Sequence, residues 1–183
     1  MTACPWPVAQ LVPHSGDAIM IDTVDDWDDE TLSATAVVRA DSLYSDADGS
    51  LPAWLGLEIM AQAVGAWAGC QARHQGQEVG LGFLLGTRRY ECHVQRFLPG
   101  TRLSIRVQQS LRDAIGMGVF ECELRAGGEL LALARLNVYQ PADASAFTRE
   151  AAPDDDVTPA VDATGNDDAH PLTSSYKNSQ TAP

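Results

Sequence analysis

The chain has 183 residues, of which 45% are hydrophobic and 20% are charged, and its formal net charge is −13. This composition excludes a chain that is disordered along most of its length, and the length suits one domain. The negative charge argues against a nucleic acid or an anionic membrane as the partner, because both require a basic face.

Two strands are predicted in the N-terminal part of the chain. Residues 18–24 are predicted to form the first strand, and an acidic turn follows at 25–29. Residues 31–38 alternate loosely between apolar and polar side chains, which indicates a half-buried strand. A polar loop over residues 41–50 then separates these strands from the next element.

The longest apolar stretch, residues 51–69, is predicted to be part of a helix buried inside the protein. Pro52 suits a helix start and Gly76 suits a stop, which places the helix at residues 54–73. Glu58 lies near the middle of the apolar stretch, and an acid at the centre of a bilayer costs ~2.5–3.5 kcal/mol on insertion scales. The stretch is therefore not expected to span a membrane.

Four further strands are predicted after the helix. They cover residues 82–90, 101–111, 116–125 and 130–139. Pro99-Gly100 supplies a turn signal, and Gly127-Gly128 indicates a hairpin between the last two strands. A single apolar helix with strands on both sides predicts an α+β architecture, in which an antiparallel sheet wraps around one long central helix.

The composition changes near Pro141. Residues 141–183 contain eight acids, two bases and few large apolar side chains. Such a segment cannot bury enough surface to offset the entropy lost on ordering. We therefore expect a folded domain over residues 1–140 and a disordered acidic tail over residues 141–183.

The reactive residue types are sparse. The four cysteines form no C-x-x-C pair and the four histidines do not cluster, so neither a metal site nor a cofactor is expected. The only lysine is Lys177, which argues against Schiff-base chemistry in the body of the protein. The N-terminus lacks a basic region followed by an apolar run, which predicts a cytoplasmic protein with free thiols.

Glu58 is the first candidate for chemistry. A lone carboxylate on an apolar helix must be neutralised, paired or used, and burial favours the protonated form that a general acid needs. The alternatives are that Glu58 caps its own helix or pairs with an arginine. Gln62 lies one turn later on the same face, and satisfying a backbone group would explain it equally well. His14 and His93 are interpreted as structural, and Cys70 as a small buried hydrophobe.

Three motifs resemble those of the 3-hydroxyacyl-[acyl-carrier-protein] dehydratases, which have a hot-dog fold. Residues 51–63 read L-P-A-W-L-G-L-E-I-M-A-Q-A and resemble the family's F-P-G-V-L-x-x-E-x-x-A-Q-A. V-P-H at 12–14 and I-M-I-D-T-V at 19–24 resemble L-P-H-x-x-P-x-L-L-x-D-R-V. F-L-P-G at 97–100 resembles R-P-V-x-P-G-D. The resemblance implies a hot-dog fold for the body of the chain.

The resemblance also implies site residues. The family dehydrates a 3-hydroxyacyl thioester to a 2-enoyl thioester with a histidine as base and an acid that protonates the leaving hydroxyl. Glu58 matches the acid, and the Ala53 N–H replaces a glycine N–H that faces the thioester oxygen. The family's histidine lies fourteen residues before the acid, where this chain has Tyr44, and a neutral phenol is a poor base. Tyr44, Trp54 and Gln62 are expected to contact the substrate.

The missing histidine predicts half of a composite site. The chain resembles in particular the accessory dehydratase subunit of aryl polyene biosynthesis clusters, whose hot-dog partner keeps its histidine. Glu58 would complete the partner's site in a heterodimer, with a homodimer as the alternative. The substrate would arrive on an acyl carrier protein that docks on Arg88, Arg89 and Arg96, unless these arginines pair with the chain's own carboxylates. Two other functions stay open: a hot-dog thioesterase that uses Glu58 to activate water, and a non-catalytic scaffold subunit.

Overall fold

The computed structural model describes residues 1–141, and its long strands and single long helix follow the predicted order. The strands are β1 (Thr2–Ala3), β2 (Thr23–Trp27), β3 (Thr31–Val37), β4 (Leu51–Pro52), β5 (Phe83–Cys92), β6 (Arg96–Phe97), β7 (Arg102–Arg112), β8 (Met117–Ala126) and β9 (Glu129–Tyr139). The helix α1 spans Leu55–His74, and two short 3-10 turns, Val8–Gln10 and Gly16–Ala18, precede β2. The predicted acidic tail beyond Pro141 lies outside the described residues.

Seven strands form one antiparallel sheet in the order β1-β2-β3-β7-β8-β9-β5. The turn between β8 and β9 places Gly127 and Gly128 at φ values of 56° and 89°, which only glycine adopts without cost and which a tight hairpin requires. β4 and β6 form a separate two-residue ladder. β5 pairs only with β9, so its other edge has no strand partner in the part of the chain that the structure describes.

The sheet wraps around α1, and the core lies between them. Twelve of the twenty residues of α1 are buried, which agrees with a helix enclosed on most sides. Gly69 lets the N-terminal segment cross the helix at close range, because a Cβ atom there would lie 2.1 Å from the Leu11 carbonyl oxygen. Within residues 1–141, no helix is both long and apolar enough to cross a membrane.

The first long strand begins later than the pattern predicts, at Thr23 instead of residue 18. The Asp22 N–H already donates to the Thr35 carbonyl of β3, but the backbone at residues 18 and 20 is satisfied by a helix side chain. The Met20 N–H donates to Gln62 Oε1 over 2.8 Å, and Gln62 Nε2 donates to the Ala18 carbonyl over 2.9 Å. Part of the predicted acidic turn belongs to β2, which extends to Trp27. The Asp25 carboxylate there accepts hydrogen bonds from the hydroxyls of Thr23 on β2 and Thr35 on β3.

Candidate active site

Glu58 lies in the first turn of α1, with 40% of its side chain exposed. Its Oε1 accepts a 2.9 Å hydrogen bond from Gln62 Nε2. Within residues 1–141 it makes no ion pair with an arginine, so that alternative is not seen. The expectation of a deeply buried acid is wrong for the single chain, because this face of the helix start borders the open end of a cavity.

Gln62 anchors Glu58 to the N-terminal segment. Its side chain is 2% exposed and makes hydrogen bonds with Met20 N–H, the Ala18 carbonyl and Glu58. Both interpretations of Gln62 therefore hold together: the amide satisfies two backbone groups and also fixes the position of the carboxylate. Because the amide is buried and engaged on both its oxygen and its nitrogen, it has little freedom to turn.

His14 is the site residue that the sequence analysis interpreted only as structural. Its Nε2 lies 3.6 Å from Glu58 Oε1, slightly beyond hydrogen-bond distance, and its side chain is 38% exposed. The Nδ1 atom is buried without a hydrogen-bond partner in residues 1–141. The close crossing of Leu11 over Gly69 brings His14 to the helix. The P-H pair at residues 13–14 was the available signal, since it belongs to one of the family-like motifs.

A cavity of about 210 Å³ starts at the His14–Glu58 pair and runs along α1. The helix wall includes three small residues on one face, Ala61, Gly65 and Ala68. Their spacing of three and four positions is that of one side of a helix, and their small side chains leave space beside it. The opposite wall includes Phe120 of β8 and Val138 of β9. The cavity is mostly apolar, which suits an acyl chain whose reacting end lies at Glu58.

Three predicted site residues do not line this cavity: Ala53, Tyr44 and Trp54. The Ala53 carbonyl accepts a hydrogen bond from the Tyr90 hydroxyl at the start of the helix. Trp54 is 64% exposed, and Tyr44 is partly buried against the edge of the core. The structure thus brings Glu58 and Gln62 together, while substrate contacts of Tyr44, Trp54 and Gln62 stay a prediction.

The three predicted docking arginines differ in their surroundings. Arg89 Nε lies 2.7 Å from Glu91 Oε1, and this hydrogen bond raises the pKa of Arg89 and lowers that of Glu91. Arg96 pairs with Asp48. Arg88 forms no ion pair with any residue of the described part of the chain. Pairing with the chain's own carboxylates therefore holds for two of the three arginines.

An antiparallel sheet that wraps around one long helix defines a hot-dog protein. The chain matches the family model for ApeP-like proteins, described as ApeP dehydratase, over residues 6–149. Because this match covers most of the 183 residues, the chain belongs to the ApeP-like dehydratase family. It is also 32% identical to a chain of the dehydratase heterocomplex ApeI:P from Xenorhabdus doucetiae, with a TM-score of 0.72 over 78% of this chain and 95% of that chain.

Two more distant structures share only the fold. The PaaI protein from the phenylacetic acid degradation operon of E. coli is 14% identical, with a TM-score of 0.50 over 63% of this chain and 80% of that chain. A hypothetical thioesterase with coenzyme A from Streptococcus pneumoniae is 11% identical, with a TM-score of 0.51 over 64% and 84%. No curated protein matches the sequence. These similarities confirm the predicted hot-dog fold.

Proposed function

We propose that this chain is a subunit of a 3-hydroxyacyl-[acyl-carrier-protein] dehydratase that forms 2-enoyl thioesters in aryl polyene or related fatty-acid-type biosynthesis. The observation that carries the proposal is the Glu58 carboxyl group, held by Gln62 at the open end of an apolar cavity. The reaction removes a C2 proton and expels the C3 hydroxyl as water, so it requires an acid beside the hydroxyl and space for the acyl chain.

Each group then has a distinct role. Glu58 delivers a proton to the leaving hydroxyl, and the Ala53 N–H at the helix start stabilises the charge that develops on the thioester oxygen. The histidine of a partner subunit removes the C2 proton, since this chain has Tyr44 at the corresponding position. His14 acts through Glu58 by orienting its carboxyl group, because the imidazole lies against that group within the same chain.

The partner is a second hot-dog subunit. Two observations support this: the related structure is a heterocomplex, and β5 has an open edge in residues 1–141. Leu84 and Leu85 on β5 are 40% and 56% exposed. A partner strand that pairs with β5 across a two-fold axis would cover them and satisfy the edge.

The acyl carrier protein docks through a local basic patch. Carrier proteins of this kind are acidic and this chain has a net charge of −13, so the overall field opposes the encounter. Arg88 is the free cation of the predicted patch in the described residues, and Arg89 and Arg96 stand beside it with their charges already engaged. We therefore assign the main docking contact to Arg88.

The decisive experiment replaces Glu58 with glutamine in the reconstituted pair of subunits. Glu58→Gln keeps the shape and the hydrogen bond to Gln62 but cannot deliver a proton, so kcat for dehydration should fall by ~10²–10⁴. The matched control is Glu121→Gln on the exposed side of β8, which should leave kcat unchanged. A Glu58→Gln complex with near wild-type kcat would assign the acid to the partner and leave this chain as a scaffold.

The same assay separates dehydration from hydrolysis. A thioesterase would release a free thiol and a carboxylic acid, whereas the proposed reaction leaves the thioester intact with a new double bond. Release of thiol by the purified chain without any partner would contradict the dehydratase function.

A further inference from the structure

Strand β7 changes the face it presents to α1 near its end. Its first half alternates regularly, with apolar side chains buried against the helix at every second position: Leu103, Ile105 and Val107. Gln109 continues that face, and a register shift follows between Gln109 and Leu111. The shift leaves Leu111 58% exposed and places Arg112 with its guanidinium carbon 5.9 Å from the centroid of the Trp67 ring.

Apolar packing alone would favour the opposite arrangement, in which Leu111 faces the helix. The observed arrangement exposes a leucine and directs a guanidinium towards the helix, although the regular alternation would have turned Leu111 to that face. Bulges that redirect side chains are frequent beside functional sites, and local departures from favourable packing are expected there. The bulge therefore indicates that Arg112 has a role other than stabilising the fold, and Gln109 lies on the same face just before the shift.

Both side chains line the cavity that starts at Glu58, with Gln109 partly buried and Arg112 exposed at the cavity wall. Gln109 Nε2 is buried and has no hydrogen-bond partner in residues 1–141. Arg112 makes no ion pair with these residues either. An unpaired buried donor costs free energy, and a bound molecule that supplies an acceptor would remove this cost.

The donors lie far from the reacting end. Trp67, beneath Arg112, follows Glu58 by nine positions, which is about 13 Å along a helix. A second hollow of about 580 Å³ borders the cavity at that end, since Arg112 and Gly116 line both. Gln109 and Arg112 make this end of the cavity polar, whereas an acyl chain that ends in a methyl group would be matched by an apolar end.

We propose that Gln109 and Arg112 recognise an oxygen acceptor, a hydroxyl or a carboxylate, at the distal end of the acyl chain. At ~1.2 Å per bond of an extended chain, the acceptor lies roughly eleven bonds beyond C3, the carbon whose hydroxyl Glu58 protonates. The proposal deepens the proposed function, on which it rests for the direction in which the acyl chain lies.

Binding of acyl thioesters to the full chain tests this site directly. Thioesters of about fourteen carbons that end in a methyl, a hydroxyl or a carboxylate are compared by calorimetry. An oxygen-ended thioester should bind about tenfold more tightly than the methyl-ended one, which corresponds to one net hydrogen bond. A preference for the hydroxyl alone or for the carboxylate alone supports the site and identifies the acceptor.

Double variants test whether Gln109 and Arg112 cause the tighter binding of oxygen-ended thioesters. Gln109→Leu combined with Arg112→Met should abolish that preference. The matched control is Gln108→Leu with Arg106→Met, two residues of the same types that are exposed on the same strand. Equal affinities for all three thioesters in the wild type, a preference that survives the first pair, or no binding of any thioester would each overturn the site.

Two further measurements are needed. The first distinguishes a ligand-binding role of Gln109 from a stabilising one, and the second distinguishes failure of the distal site from failure of the proposed function. In the absence of ligand, Gln109→Leu should preserve or raise Tm, because it removes an unpaired amide, whereas a structural glutamine would lower Tm when replaced. Dehydration of a methyl-ended 3-hydroxyacyl substrate is measured on the wild-type complex. If that activity is absent while the binding preference persists, the proposed function fails and the distal site stands.

Discussion

His14 and Gln62 hold the Glu58 carboxyl group in different ways. Gln62 is buried and fixed by backbone groups, whereas His14 is partly exposed and approaches the carboxyl group without a full hydrogen bond. Replacing Gln62 would therefore disturb both folding and activity. His14 is the residue through which the site can be tested with little effect on the fold.

His14→Gln should lower kcat of the reconstituted complex about tenfold, because Glu58 would lose the neighbour that orients it. A positioning role also requires kcat to fall with little change in KM, because His14 acts on the catalytic acid and not on substrate binding. His93→Gln is the control, because His93 is exposed and lies outside the cavity wall. An unchanged kcat in His14→Gln would return His14 to a purely structural role.

The sequence predicted the part of the site that one helix supplies. Glu58 and Gln62 are four residues apart in one motif, so their shared face follows from helix geometry. The position of His14 depends on where the N-terminal segment crosses α1, and this is set by contact between Leu11 and Gly69. No local pattern contains that long-range contact.

Among the elements, the turn between β2 and β3 is fastened to the helix by one residue. Asp28 Oδ1 accepts hydrogen bonds from the backbone N–H groups of Glu30 and Thr31, at 3.0 and 2.7 Å. The Asp28 carbonyl accepts two more from α1, one from Trp67 Nε1 and one from Gln71 Nε2. The carboxylate shapes the turn, and the carbonyl ties that turn to the helix.

Asp28→Asn should lower the free energy of unfolding at neutral pH by about 1 kcal/mol. The bonds from Glu30 and Thr31 lower the pKa of Asp28 below its ordinary value of 3.8. A lowered folded-state pKa means that the carboxylate stabilises the fold above the ordinary value, and that this contribution is lost as the pH falls through the folded-state value. Denaturant unfolding of the wild type and of Asp28→Asn should therefore show a difference in the free energy of unfolding at pH ~7, and this difference should shrink in acid.

Asp29→Asn provides the control for this prediction, since Asp29 is an exposed neighbour in the same turn. If the free energies of unfolding of the wild type and Asp28→Asn differ by the same amount at every pH, the carboxylate charge does not stabilise the turn.

The four long C-terminal strands lie within one or two residues of their predicted bounds, because each combines alternation with a glycine-containing turn. Bulges were not predictable in the same way. In β7, alternation alone would turn Leu111 towards the helix, and the register shift depends on pairing with β8. β1, β4 and β6 are two residues each, too short to produce a pattern.

At the scale of the whole molecule, the open edge of β5 is the proposed site of assembly. Leu85→Glu would place a charge in the proposed interface without touching the core, since Leu85 is 56% exposed. The affinity for the partner should fall about a hundredfold, as expected for a central interface residue. Size-exclusion chromatography of the mixed subunits gives the measurement.

Leu111→Glu is the control for assembly, because Leu111 is 58% exposed but belongs to the interior strand β7. It should leave the complex intact. Stoichiometric complex formation by Leu85→Glu would mean that the partner binds elsewhere on the chain.

The two register shifts in β5, one between Leu84 and Gly86 and one between Thr87 and Arg89, also affect the life of the chain before assembly. A long straight edge strand is a template on which other extended chains can aggregate, and bulges twist such an edge out of the required plane. In the proposed heterocomplex, a newly synthesised subunit therefore presents an irregular edge until its partner binds. Only a strand whose own shape follows those two shifts would pair along its full length, so the irregularity would disfavour fibre formation and favour a matching partner.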